Sequence, residues 1–422
     1  MIISPKKIEK NKIFSPILPI SKSQANRLLI LHFIGNTDDK LPEYFSKSKQ
    51  ELPNDVCIMN KCLLELNKNK HSHFVFNVED AGTVARFLTA LLSTQEGAWE
   101  VRGNDRMHQR PMGELIKVLR ELGADIHCVE KEGFLPIKIK GKKLNGGNVK
   151  IKADVSSQYI SALLLITPLL KEKLIIEMEL NPVSLPYIDL TIDALRKFDI
   201  DVERKDFQII AFPSKLILKD VFLEKDWSSA AVWFSSMLTG KLDEVFLEGL
   251  NIEDKQGDTL LLDIYNELGI SHQKTADGIR LIANKKQQIK KEYLFDLQGN
   301  PDLFPYLVVS IILSSLSAKI TGLKNLDLKE SKRLTEVLTQ MNKNAFHLEK
   351  LKGDSIKIYS TTFNNKKLSF DCKNDHRLIM AFSVFGLICP TELTNTERVT
   401  KSYPNFWKEM EALIERSISN FV

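Results

Sequence analysis

Five stretches of this chain are apolar almost all the way round a helix: AGTVARFLTALLS at 81–93, SSQYISALLLITPLL at 156–170, SSAAVWFSSML at 228–238, DLFPYLVVSIILSSL at 302–316 and DHRLIMAFSVFGL at 375–387. A helix without a polar face must be covered on every side. None reaches the ~20 residues needed to cross a bilayer, so the cover has to come from the rest of the chain. That rest supplies a second kind of element. ELIKVLRELGADIHCVE at 114–130, TIDALRKFDIDVERK at 191–205 and LLLDIYNELGISHQK at 260–274 each read as an amphipathic helix, a tight turn and a short strand. RLTEVLTQMNKNAFHLEK at 333–350 and VCIMNKCLLELNKNKHSHFVF at 56–76 read as weaker copies. The unit recurs roughly every 60–75 residues, about six times, which is too long for a standard solenoid. The expectation is an α/β chain of compact repeated units, with buried helices packed inside sheets.

A length of 422 residues makes two domains the natural division. Hydrophobic residues at 43% supply sizeable cores and exclude disorder as the main state. The 59 basic and 54 acidic side chains leave a net charge of only +5, which does not point to nucleic acid. KSK at 47–49 and NKNK at 67–70 read as solvated loops. Cys57, Cys62, Cys128, Cys372 and Cys389 are odd in number and lack metal-ligand spacing, as expected of a reducing compartment. The opening MIISPKKIEKNK lacks the apolar core of a signal peptide. The reading is a soluble cytoplasmic protein.

The buried helices share polar or basic residues at their N-terminal ends. SKSQANR at 21–27 precedes LLILHFI, DAGTVAR at 80–86 leads into FLTALLS, SSQ at 156–158 into YISALLL, and NDHR at 374–377 into LIMAF. Capping accounts for Ser156 and Asp375. It does not account for Arg86 or Arg377, because a cation in the first turn opposes the helix dipole. An anionic ligand at the helix end reverses that penalty, and a planar guanidinium suits carboxylate and phosphate. In LKNLDLKESKRL at 323–334, Lys329 and Arg333 are four apart, predicting one helical face with Glu330 beside them. Either this is a surface salt-bridged helix or a catalytic carboxylate flanked by cations. Asp302, in GNPDLFPYL, opens a very apolar helix and reads as an N-cap or a second functional acid.

In order, these motifs resemble the enolpyruvyl shikimate-phosphate synthase family. SKSQANR resembles its first signature and AGTVARFLTA its Asn-Ala-Gly-Thr-x-x-Arg segment. GNDRMHQRPMGELIKVLRELGA resembles its Arg-Met-x-x-Arg-Pro region. GFLPIKIKG, SSQYISALLL, SLPYIDLT, NPDLFPYL, LKESKRL, NDHRLIMAF and KSYPNFW follow in the family order. The resemblance runs from about residue 18 to 407.

The resemblance implies the enolpyruvyl transferase fold: two similar domains, each of three repeated α/β units in an inverse α/β barrel-like arrangement. The chain would cross between them near residues 20 and 227, giving a domain of 1–20 with 227–422 and an inserted domain of 21–226. It implies transfer of the enolpyruvyl group of phosphoenolpyruvate to the 5-hydroxyl of shikimate 3-phosphate by addition and elimination. Neither metal nor organic cofactor is implied, and a monomer is expected. Shikimate 3-phosphate would be held by Lys22, Ser23, Arg27, Ser156, Ser157, Gln158, Ser184, Asp302, Asn325 and Lys329, with Tyr187 beside them in sequence. Phosphoenolpyruvate would be held by Lys22, Gly82, Arg110, Gln158, Arg333, Arg377 and Lys401. Asp302 would be the base and Glu330 the proton donor, with Lys22 stabilising phosphate and leaving-group charge. At least four anionic groups then meet in an interdomain cleft, where dense Lys and Arg offset their repulsion. A side chain larger than Gly82 confers glyphosate tolerance in the family, so glyphosate is expected to compete with phosphoenolpyruvate.

Several positions depart from the family pattern. Asp80 stands where Asn is common, Phe87 where Pro is common, and Lys332 where an acid is usual. Asn54-Asp55 replaces a more acidic stretch, and residues 37–53 read as a longer polar loop. LRKFDI and QMNKNAF lack the usual Gly after the helix. The nearest rival is the sister enzyme acting on UDP-N-acetylglucosamine. It carries a reactive Cys before its Arg-Pro segment, and NDRMHQRP has none; Cys128 falls in an expected strand. A silent anionic-metabolite-binding homologue is opposed by Lys22, Asp302 and Glu330. An RNA-binding relative is opposed by the small net charge and the lack of clustered aromatics.

Overall fold

The computed structural model describes residues 1–5, 13–35, 45, 51–69, 72–152, 156–179, 183–284, 290–361, 363 and 366–415. The loop expected at 37–53 lies mostly outside these, at 37–44 and 46–50. The chain divides into two compact units: an outer one of Met1–Ile20 with Glu224–Val422, and an inserted one of Ser21–Leu223. Ile20 and Lys225 form an isolated antiparallel bridge, so the segments leaving and re-entering the outer unit run side by side.

Among the described residues, three sheets follow one recipe. In the first, strand His73–Asn77 leads through helix Gly82–Thr94 to strand Gly97–Arg102. Helix Gly113–Glu121 then leads to the hairpin Asp125–Cys128 and Ile137–Gly141. The first two strands pair in parallel across the intervening helix, and the hairpin adds antiparallel. The sheets beginning at Gly147–Ile151 and Tyr293–Asp296 repeat the same order. The outer unit also holds two three-stranded sheets, one completed by strand Ile2–Ile3 and one touched by a bridge from Phe14 to Val245. The start of the chain thus belongs to sheets formed mainly by its last 200 or so residues.

One of the weak copies read from the sequence is not a copy. Helix Asn54–Lys68 is followed by His73–Asn77, but that strand opens the next sheet, paired in parallel with Gly97–Arg102. In the genuine copies the strand after the amphipathic helix closes an antiparallel hairpin. Alternation in HFVFN shows a strand; it carries no information about the partner.

The apolar helices lie at the centre of each unit. Lys22–Gly35, Gly82–Thr94 and Ser157–Leu165 pack on one another in the inserted unit. Trp227–Met237, Phe304–Leu313 and His376–Ser383 do so in the outer unit. Phe304–Leu313 buries every residue but Leu313, and each large apolar side chain so covered contributes ~1.5–3 kcal/mol. Helix ends are turned by a residue in the left-handed region. Gly123 (φ 99°) and Gly269 (φ 94°) take this place in two copies. Asp199 (φ 60°) and Ala345 (φ 65°) take it where the glycine is missing. The closing hydrogen bonds survive: Ala345 N donates to Asn342 O and Phe346 N to Met341 O. Among the described residues no helix is long and apolar enough to cross a membrane.

Candidate active site

In the inserted unit, three central helices bring their N-terminal ends to one group of residues. Ser21 caps the first, its Oγ accepting from Gln24 N at 3.3 Å. Lys22 and Ser23 follow in the first turn. Ser156 caps the third, accepting from Gln158 N at 3.3 Å. Gln158 Nε2 then donates to Thr83 Oγ1 at 3.1 Å, tying that helix end to the one begun by Gly82. Ser157, the first residue of its helix, is buried.

Arg27 sits a turn inside the first helix and is fully buried. Its Nε donates to Thr191 Oγ1 at 2.7 Å and its Nη1 to Ser23 O at 2.6 Å. Its Nη2 donates to Ser161 Oγ at 3.1 Å and Tyr187 O at 2.9 Å. All these partners are neutral. Burial pushes the guanidinium down to about 9, which leaves it charged at neutral pH. A buried cation without a counter-ion is costly, and an anionic ligand removes that cost. The Tyr187 carbonyl also accepts from Ser161 Oγ at 3.4 Å and Thr191 Oγ1 at 2.9 Å. Ser184, in the left-handed region (φ 56°) at the start of helix Leu185–Lys197, is buried and accepts from Tyr187 N through its own carbonyl.

Arg110 is also buried, on the segment after the short helix Asp105–His108. Its Nη1 donates to Asp80 O at 3.2 Å, and its Nε has no hydrogen-bond partner among the described residues. This contact is made by the backbone carbonyl of Asp80. Arg86 lies one turn into its helix and not in the first turn; it reaches back to Gly82 O at 2.9 Å and across to Pro111 O at 3.0 Å. Lys22 pairs with Asp55 at 3.1 Å, both nearly covered. Asp55 carried no sequence signal beyond its departure from the family pattern, because a contact 33 positions away leaves no periodicity.

The outer unit gathers the acids. Lys329 and Glu330 are not helical as their spacing to Arg333 predicted. Leu326–Leu328 is a 3-10 turn that Asn325 begins, Lys329 is extended, and the helix starts at Arg333. The residues converge all the same, because Arg333 reaches back. Its Nη2 donates to Glu330 Oε2 at 2.7 Å and its Nη1 to Asp302 Oδ1 at 2.7 Å. Its Nε and Nη2 grip Asp375 at 2.9 and 3.1 Å. Arg333 is fully buried, so these acids are its environment.

Asp302 is not a cap: it lies in the 3-10 turn Pro301–Leu303 before helix Phe304–Leu313. Lys329 Nζ stands 3.3 Å from its Oδ1 and Arg377 Nη2 3.0 Å from its Oδ2. Burial works against ionisation of Asp302, but Arg377, Lys329 and Arg333 outweigh it and hold its carboxyl well below the usual range. Arg377 is the second residue of helix His376–Ser383, whose cap, Asp375, accepts from Arg377 N at 3.0 Å. Lys401 ends the 3-10 segment Thr396–Lys401, which packs on that helix, and its Nζ is 3.8 Å from Glu330 Oε1. Lys332 is exposed and takes no part in this cluster.

Behind the cluster, buried Asp258 accepts from Ser228 Oγ and, at 3.0 Å, from Asn300 Nδ2. It links the start of helix Trp227–Met237 to the turn carrying Asp302. Burial pushes its carboxyl up. Neither Asp258 nor Asn300 stood out in the sequence, since isolated polar residues in loops do not.

The family model of EPSP synthase (3-phosphoshikimate 1-carboxyvinyltransferase) matches residues 44–410. The 3-phosphoshikimate 1-carboxyvinyltransferase of Bacteroides fragilis strain YCH46 is 36% identical over 398 residues, covering 93% of each chain. That of Nitrosopumilus maritimus strain SCM1 is 30% identical over 426 residues, covering 96% of this chain and 98% of its own. In fold, the chain is similar to an EPSP synthase structure from Acinetobacter baumannii, with a TM-score of 0.73 at 20% identity over 98% of this chain and 97% of that one.

Proposed function

The chain belongs to the EPSP synthase family, and from that premise we propose how its residues divide the work of moving an enolpyruvyl group. The reaction joins the 5-hydroxyl of shikimate 3-phosphate to the central carbon of phosphoenolpyruvate. The hydroxyl proton leaves, the methylene carbon gains a proton, and the tetrahedral intermediate expels phosphate.

The observation that supports the assignment is the arrangement around Arg333. One buried guanidinium holds Asp302 and Glu330 by different nitrogens, while Lys329, Arg377 and Lys401 stand against the same two acids. Two acids set in a ring of cations suit a reaction that moves two protons among polyanions. Asp302, ionised, accepts the hydroxyl proton; Glu330 delivers the proton to carbon. Three cations hold Asp302 ionised and thereby lower its basicity. An anion that draws Arg377 and Lys329 toward itself raises its basicity, so arrival of substrate switches the base on. Arg377, Lys401 and Arg333 are assigned to phosphoenolpyruvate, with Lys22, Gly82, Arg110 and Gln158. Arg333 acts chiefly by holding the acids.

Shikimate 3-phosphate is assigned to Ser23, Arg27, Ser156, Ser157, Gln158 and Ser184, with Lys22, Asp302, Asn325 and Lys329. The burial of Arg27 against partners that are all neutral, among the described residues, supports this. Tyr187 and Thr191 orient that guanidinium. Lys22, held by Asp55, is assigned to the phosphate that leaves. Five free cysteines fit a reducing, cytoplasmic setting, and a monomer is the reading to be tested by light scattering.

The test is release of phosphate from phosphoenolpyruvate. Turnover with shikimate 3-phosphate and none with UDP-N-acetylglucosamine is expected. The reverse preference, or none with either, sinks the assignment.

A further inference from the structure

We propose that Asp375 is a positioning residue of the reaction: by clamping Arg333 it sets where Asp302 and Glu330 present their carboxyl groups. The inference rests on the roles given above to those two acids.

Asp375 is fully buried, and its carboxylate takes bonds from Arg333, Ser331 and Arg377. Its two oxygens take Arg333 Nε at 2.9 Å and Nη2 at 3.1 Å. A two-point grip fixes the plane of a guanidinium as well as its position. From that plane the remaining directions are determined. Nη1 reaches Asp302 and Nη2 reaches Glu330, each at 2.7 Å. The same carboxylate takes Ser331 Oγ at 2.8 Å, fixing the residue next to Glu330. It also takes Arg377 N at 3.0 Å, fixing the start of the helix that carries Arg377. One carboxyl group therefore orients the proposed proton donor, the proposed base and a proposed phosphoenolpyruvate ligand.

The backbone leading to Asp375 is held with matching firmness. Lys373 (φ 49°) and Asn374 (φ 61°) both occupy the left-handed region. A side chain as large as lysine takes that conformation only where the surroundings impose it. Lys373 N donates to Asp371 Oδ1 at 3.2 Å, Lys373 Nζ pairs with Asp371 Oδ2 at 2.6 Å, and Asp375 N donates to Cys372 O at 2.9 Å. This turn delivers the carboxyl group to Arg333.

Charge matters as much as shape. Asp302, Glu330 and Asp375 share one guanidinium. Without the charge of Asp375, Arg333 is free to turn toward the other two acids and hold them tighter, which weakens Asp302 as a base and moves Glu330.

A simple cap at this position makes a different prediction, because Asn caps as well as Asp. Asp375→Asn keeps the cap and the volume and removes the charge. We expect its melting temperature to stay within a few degrees of wild type. We expect kcat to fall roughly 100-fold with the KM for shikimate 3-phosphate unchanged. A kcat within about threefold of wild type, or equal damage to kcat and that KM, overturns the proposal. Should Asp375→Asn not fold, Ser331→Ala removes one of the bonds orienting the same carboxylate. It is expected to lower kcat several-fold at unchanged KM for shikimate 3-phosphate, and wild-type kcat there overturns the proposal. Wild-type protein is assayed alongside: absence of turnover in it refutes the functional reading itself, whereas normal turnover with unaffected variants refutes only the role of Asp375.

Discussion

Gly82 and Arg110 are packed so closely that a Cβ at residue 82 would stand 2.5 Å from Arg110 Nη1 and 2.6 Å from its Cζ, and would also strike Arg86. Both guanidinium groups must move to admit even a methyl group. Arg110 is the easier to displace, since its guanidinium donates to one carbonyl, Asp80 O at 3.2 Å, whereas Arg86 donates to two, Gly82 O at 2.9 Å and Pro111 O at 3.0 Å. Gly82→Ala should therefore lower kcat/KM for phosphoenolpyruvate by about 10- to 100-fold and weaken competition by glyphosate, leaving the KM for shikimate 3-phosphate little changed. Steady-state kinetics with each substrate varied in turn checks this.

Arg27 is a buried cation whose hydrogen-bond partners among the described residues are all neutral, and an anion bound against it lowers the cost of burying the charge. Shikimate 3-phosphate at 100 times its Kd should stabilise the fold by about 2.7 kcal/mol, a rise of roughly 5 °C in melting temperature. Arg27→Gln keeps a hydrogen-bond donor and loses the charge. It should abolish most of that rise; a shift equal to wild type would show that Arg27 is not a ligand.

Asp302 governs an acid-side loss of stability. Its native pKa is depressed by Arg377, Lys329 and Arg333 in spite of burial. Such a carboxylate stabilises the fold above its unfolded value of about 3.9. That contribution is lost as pH falls below it toward the native value. The difference in melting temperature between wild type and Asp302→Asn should be largest near neutrality and shrink below about pH 4. A difference independent of pH would contradict the ion-pair account.

Ala345 holds a left-handed backbone that glycine adopts without strain. Ala345→Gly should raise stability by about 1 kcal/mol and the melting temperature of its unit by roughly 2–4 °C. A fall would show that the helix end is not strained.

The central helices were legible because apolarity on all sides leaves them no other place, and Phe304–Leu313 and Gly82–Thr94 lie where that pattern put them. The caps Ser156 and Asp375 were legible from local chemistry. What escaped was long-range or irregular. The i, i+4 spacing predicts helix at Lys329–Glu330, yet the chain bends there before the helix begins, and Arg333 reaches back to Glu330. Asp55 finds Lys22 across 33 positions, and Asp375 finds Arg333 across 42. No local pattern encodes such pairs. Asp199 and Ala345 hide the helix ends that Gly123 and Gly269 announce, because the backbone conformation is kept after the residue that favours it is gone.

The assignment of Glu330 is tested most directly by steady-state kinetics of Glu330→Gln, a change that keeps shape and removes the transferable proton. The account predicts a kcat lower by about 100-fold or more, with both KM values close to wild type. Undiminished turnover would contradict the role of Glu330, and with it the reading of the acids around Arg333.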